Sequence, residues 1–251
     1  MNAAPVGFFD SGYGGLCIHA AFLRRCPGES TVYIADSANC PYGNRPSAEI
    51  IRLSEENTRR LLGEFGCKMI VVACNTATAA AIDFLREKFA PVPFIGLEPA
   101  VKPAALKSKT GIVGVLATAG TFGGRLYRET KDKFAKDVTV IATVADEFVT
   151  EVENLRGRRV EDLPADEYSR VEDIVRRKIE PLMAAGADKI VLGCTHFPHL
   201  KSVIEKVASG KAEVIEPSEA VARQAARVLA KLGLEAPDGA SAKHVFISTS
   251  D

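Results

Sequence analysis

The chain has 251 residues, of which 47% are hydrophobic and 25% charged, the make-up of an ordinary globular protein with one large or two small domains. Its 32 basic and 32 acidic residues cancel, which removes the electrostatic case for nucleic acid or an anionic membrane surface as partner. No apolar run reaches the roughly 18 residues of a membrane span, and the first residues lack the basic-then-apolar order of a secretory signal. The six cysteines (17, 26, 40, 67, 74, 194) form no Cys-x-x-Cys pair, so a reduced, cytoplasmic protein is expected.

Strand-like and helix-like segments alternate from the start. Residues 6–9 are a short apolar run, and the turn Asp10-Ser11-Gly12-Tyr13-Gly14-Gly15 leads into a helix over 16–25. A strand over 31–35 ends at Asp36. Pro41-Tyr42-Gly43 reads as loop, and Ser47 as the N-cap of an amphipathic helix running to 65. A strand over 67–73, a helix over 78–89 and a strand over 92–97 follow. The pattern then restarts with a strand at 110–117, a turn at 118–121, a helix at 124–134 and a strand at 138–144. After the polar stretch 151–171, expected as an exposed helix-loop, come a helix to 185, a strand at 189–193 and a helix at 200–208. A strand at 212–215, a helix at 218–232 and a strand at 244–248 complete the pattern. Strands separated by helices imply βαβ units. The expected fold is therefore α/β, with two pseudo-symmetric lobes, each a parallel sheet flanked by helices. Residues 1–97 with 212–251 would form the first lobe and 98–211 the second, with the active site in the cleft between them.

Two segments repeat one another: Val71-Val72-Ala73-Cys74-Asn75-Thr76 and Val191-Leu192-Gly193-Cys194-Thr195-His196. Each is a buried-strand run that stops at a cysteine followed by small polar residues, which places a thiol at the carboxyl end of a sheet, where α/β folds bind ligands. Each thiol is expected to precede a helix, whose dipole favours the thiolate. Cys17, Cys26 and Cys67 read as core residues, and Cys40 as a loop residue of open role. Asp10 and His196 share the strand-end location and are suited to exchange protons with a thiol. Asp36 ends another strand, and Glu98 and Glu153 are acids that spacing does not locate. Ser11, Asn75, Thr76 and Thr195, with backbone N–H groups at a helix start, suit a small carboxylate. Gly12, Gly14 and Gly15 do not match a dinucleotide or P-loop spacing. Cys194, His196 and His199 make only a faint metal pattern with no evident acidic ligand, so no metal is expected.

The ordered set FDSGYGG (9–15), DSANCPYG (36–43), ACNTAT (73–78), GLEPAVKPA (96–104) and LGCTHFPHL (192–200) resembles the glutamate racemases of the aspartate/glutamate racemase family, nearly end to end. The resemblance implies a cofactor-independent isomerase, commonly a homodimer, that interconverts L- and D-glutamate for peptidoglycan synthesis. It implies that Cys74 and Cys194 are the two acid/base thiols, with Asp10 beside the first and His196 beside the second. Ser11, Tyr42, Gly43, Asn75, Thr76 and Thr195 would bind substrate, and Asp36 and Glu153 would be supporting acids. The chain departs from the family pattern at 144–153 (VADEFVTEVE) and at Asn39, where Arg is common before Pro-Tyr-Gly. Racemisation of aspartate or another acidic amino acid, a non-catalytic amino-acid-binding protein and a metal hydrolase are the alternatives.

Overall fold

The computed structural model describes residues 1–135 and 137–250. They form two compact units, Met1–Leu97 with the chain from Pro217 onward, and Glu98–Glu216.

The first unit holds β1 (Val6–Asp10), α1 (Leu16–Arg25), β2 (Thr31–Ala35), α2 (Ser47–Gly63), β3 (Met69–Val72), α3 (Asn75–Lys88) and β4 (Phe94–Ile95). The chain returns to it with α10 (Ser218–Leu232) and β9 (His244–Ser248). Its sheet runs β4-β3-β1-β2-β9 with every pair parallel. All five residues of β1 are buried, as a central strand covered on both faces requires. Val6 and Phe8 point into a cluster with Ile18 and Phe22 of α1 and Ala222, Ala225 and Leu229 of α10. Burial of each large apolar side chain there contributes roughly 1.5–3 kcal/mol. Gly7 points the other way, at Leu61 of α2, where an added Cβ would lie 2.9 Å from Ile70 and 3.2 Å from Leu61.

The second unit contains α4 (Val101–Lys107), β5 (Ile112–Ala117), α5 (Ala119–Phe122), α6 (Arg125–Phe134), β6 (Thr139–Val144) and α7 (Asp146–Leu155). These are followed by α8 (Ala165–Ala184), β7 (Lys189–Leu192), α9 (Lys201–Ala208) and β8 (Glu213–Ile215). The sheet runs β6-β5-β7-β8, again all parallel. Val113 and Val115 of β5 pack with Val101 and Ala104 of α4, Tyr127 of α6 and Val191 of β7. Gly114 faces Leu182 of α8, where a Cβ would lie 2.6 Å from the leucine methyl.

The repeat extends to register. Phe9 sits level with Val72, and Leu116 with Leu192. Counting back two residues makes Gly7 and Gly114 equivalents, each making room for a leucine of a covering helix. In both sheets the strand order reverses beside the central strand, between β1 and β3 and between β5 and β7. Such reversals open a crevice at the carboxyl ends of the strands.

Several expected boundaries differ. β8 hydrogen-bonds to β7, so residues up to Glu216 belong to the second unit, and the expected break at 211/212 falls five residues too early. Pro46, not Ser47, occupies the cap position of α2. The helix α3 begins at Asn75 rather than 78 because Cys74 itself caps it. The stretch 144–153 is mostly α7, and the polar region 151–171 contains the first turns of α8, which starts at Ala165. Glu151 within that region is buried and paired with Arg170 at 2.8 Å. Among the described residues no helix is long and apolar enough to cross a membrane.

Candidate active site

Cys74 follows β3 with extended backbone (φ −138°, ψ 123°) and takes the N-cap position of α3, where its sulfur accepts the Ala77 N–H at 3.4 Å. Its neighbours come from the end of β1. The thiol donates to Ser11 Oγ at 3.8 Å. The Asp10 carboxylate, fully buried, accepts the Ser11 N–H at 2.8 Å and the Gly15 N–H at 2.7 Å. Burial pushes the Cys74 thiol well above the ordinary thiol range and the Asp10 charge pushes it further, against the opposing pull of the Ala77 and Ser11 hydrogen bonds. The Ala77 N–H at the helix start does favour the thiolate, but desolvation outweighs it and the thiol is biased towards its protonated form. Asn75, next in the chain, is 2% exposed, and neither its Nδ2 nor its Oδ1 has a hydrogen-bond partner among the described residues. An unmet buried amide costs about 1–3 kcal/mol, which a bound polar ligand relieves. Thr76 is buried in the first turn beside it.

Asp36 does not act as a free acid. Its Oδ1 accepts from Asn39 (2.9 Å) and Thr249 (2.8 Å), and its Oδ2 accepts from the Tyr42 hydroxyl (2.5 Å) and Asn57 (3.4 Å). Burial, followed by this hydrogen bond and the charge of Asp36, drives the Tyr42 hydroxyl far above its ordinary pKa, so it stays a neutral donor. Asp36 thus holds the loop carrying Tyr42 and Gly43. Asn39, at the position where Arg is common in the family pattern, is one of its ligands, and the Asn39 carbonyl accepts from Arg45 Nε at 2.9 Å.

In the second unit, Cys194 lies just beyond β7, and its sulfur is 3.8 Å from His196 Nδ1. The opposite ring nitrogen, Nε2, is 2.6 Å from Glu153 Oε1, reached from α7. The imidazole thus bridges the carboxylate and the thiol through its two nitrogens, an arrangement suited to proton transfer. Cys194 has no helix directly after it: a 3₁₀ turn spans Phe197–Leu200 and α9 starts only at Lys201. Thr195 and His196 are both buried. One further pair of hydroxyls lies beside Cys194. Thr118, two positions past Leu116 and level with Cys194, shares a 3.0 Å hydroxyl contact with Thr121, and both are buried. Ser11 holds the equivalent position beside Cys74. The signal was available: a Thr-x-x-Thr directly after a central strand. Of the other thiols, Cys67 is buried, with a pKa raised to about 12, and Cys26 is raised to about 11, in each case chiefly by burial.

The Asp/Glu/Hydantoin racemase family model matches residues 17–225. A glutamate racemase of Herpetosiphon aurantiacus is 41% identical over the whole chain and 94% of its own length. Among solved structures, a glutamate racemase isoform from Bacillus anthracis superposes with a TM-score of 0.84 at 32% identity, covering 100% of this chain and 90% of that one. The Escherichia coli glutamate racemase, solved with L-glutamate and the activator UDP-MurNAc-Ala, gives a TM-score of 0.83 at 30% identity, covering 98% and 90%. The match over most of the chain, joined to cysteines ending the equivalent strands of two like sheets, establishes that the chain belongs to the Asp/Glu/hydantoin racemase family and is an amino-acid racemase of its glutamate racemase branch.

Proposed function

We propose that this racemase interconverts L- and D-glutamate without a cofactor, using Cys74 and Cys194 as paired acid and base. The observation that carries the reading is the matched position of the two thiols, each at the carboxyl end of the strand beside a sheet's order reversal, Cys74 bonded to Ser11 and within the field of Asp10, and Cys194 beside His196. Glutamate as substrate is supported by the relatives, one of which is solved with L-glutamate.

The α-hydrogen of an amino acid is a very weak acid, and a lone base returns the proton to the face it left. Two thiols working on opposite faces solve this. In one direction His196 takes the Cys194 proton, Glu153 stabilises the imidazolium, and the thiolate breaks the Cα–H bond as its own S–H bond forms. Cys74, held protonated, gives its proton to the other face of Cα. In reverse Cys74 is the base, and its proton passes to Asp10. The carbanionic intermediate needs donors at the substrate carboxylate. The Asn75 amide, unpartnered among the described residues, and the hydroxyls of Ser11, Thr76 and Thr195 are suited to that work. Tyr42 and Gly43 would bind the substrate from the loop.

The D-glutamate would serve peptidoglycan synthesis, a reading supported by the UDP-MurNAc-Ala activator of the Escherichia coli relative. We place the enzyme in the cytoplasm as a homodimer, on the family resemblance. The decisive experiment incubates the protein with L-glutamate in deuterium oxide. Loss of optical rotation should be accompanied by deuterium at Cα of the D-product. Binding without exchange would leave an amino-acid-binding protein, and faster exchange with aspartate would move the substrate assignment.

A further inference from the structure

We infer that Thr249, just after the edge strand β9, is a positioning residue for the Tyr42–Gly43 loop, an inference that rests on the substrate-binding role proposed for that loop. The 3₁₀ turn Ser37–Asn39 opens this loop, and Asp36, at its cap position, supplies no side-chain cap. The cap comes from 213 residues away: Thr249 Oγ1 accepts the Ala38 N–H at 3.1 Å and donates to Asp36 Oδ1 at 2.8 Å. The Thr249 N–H donates to the Ala35 carbonyl at 3.0 Å, continuing the β2–β9 pairing and fixing where the hydroxyl stands. One hydroxyl therefore serves both the backbone of the turn and the carboxylate that holds Tyr42.

The two oxygens of Asp36 divide the work. Oδ1 faces Thr249 and Asn39, whereas Oδ2 faces Tyr42 and Asn57. Removing the Thr249 hydroxyl takes the cap from the Ala38 N–H and leaves Oδ1 with Asn39, so the carboxylate that accepts the Tyr42 hydroxyl is held less firmly. Neither thiol nor its proton partner is touched. The effect should fall on substrate capture, not on proton transfer.

The test compares wild type, Thr249→Val and Thr249→Ser in full-length protein, following glutamate racemisation from both enantiomers by circular dichroism, well below each melting midpoint. Loss of one charge-assisted hydrogen bond and one cap predicts KM raised about tenfold in Thr249→Val, with kcat held within about twofold. Thr249→Ser, which keeps the hydroxyl, should restore KM. Should the valine variant fail to fold, Thr249→Ala removes the same group with no added methyl and is read the same way. An unchanged KM, a loss confined to kcat, or a serine variant as impaired as the valine one overturns the inference. A wild-type protein that does not racemise glutamate overturns the underlying functional reading instead.

Discussion

Cys74 and Cys194 occupy equivalent backbone positions in two sheets of like topology, yet their surroundings share little. Cys74 caps a 14-residue helix and sits near a buried carboxylate from the adjacent strand. Cys194 precedes a 3₁₀ turn and sits beside an imidazole two residues on, backed by a carboxylate from a separate helix. Register makes the exchange explicit. Where the first unit has Asp10, the second has Ala117; where the second has His196, the first has Thr76. The lesson is that the repeated backbone sets where a thiol stands, while non-repeated side chains set what it can do with a proton. Burial and the Asp10 charge bias Cys74 towards its protonated form, whereas Cys194 has an imidazole within reach.

The sharpest way to break this comparison is to remove each thiol in turn. Cys74→Ser and Cys194→Ser should each lower kcat by about a thousandfold or more, with far-ultraviolet circular dichroism unchanged. Near-native turnover in either variant would end the two-base scheme. Replacing His196 with Asn should cost about a hundredfold in kcat and slow alkylation of Cys194 by iodoacetamide, leaving Cys74 alkylation as it was. Because the two enantiomers are equal in energy, kcat/KM must fall by one factor in both directions, so the asymmetry of the sites can appear only in kcat and KM taken separately. The structural half of the comparison is tested by Gly7→Ala and Gly114→Ala. Each should reduce stability by about 1–3 kcal/mol in urea denaturation, because the new methyl meets Ile70, Cys67 and Leu61 in the first case and Leu182 in the second. Asp10→Asn removes the group proposed to accept the Cys74 proton and should itself lower kcat, and its smallest expected effect is on the resting thiol. The Asp10 charge raises the Cys74 thiol, so its removal lets the pKa fall. The midpoint of Cys74 alkylation against pH should move to lower pH, and a move to higher pH would show that Asp10 acts mainly through its hydrogen bonds.

Much of this was legible in the sequence because it lies in short contiguous runs. A buried strand ending in Cys, Asn and Thr can be read locally, as can the β9 strand of His-Val-Phe-Ile-Ser. The parts that could not be read depend on distant pairings. Glu153 reaches His196 across 43 positions, and no spacing rule connects α7 to a strand end. Asp36 ends a strand in the sequence, but its four partners come from the 3₁₀ turn, the loop, α2 and the residue after β9, which no local pattern connects. The missed helix α4 contains Pro103, whose missing N–H is tolerated because position three of a helix has no intrahelical acceptor to lose. The early start of α8 was hidden by polar residues that reveal little periodicity until Val171 and Val175 enter the core.

The first sheet is assembled from the opening 97 residues and from β9, with the whole second unit inserted between them. During synthesis, β2 therefore waits beside an empty edge while more than a hundred further residues emerge, although the second unit is contiguous and free to close first. Order of translation and order of completion are reversed in this molecule, and the loop that Thr249 clasps would be among the last parts to set.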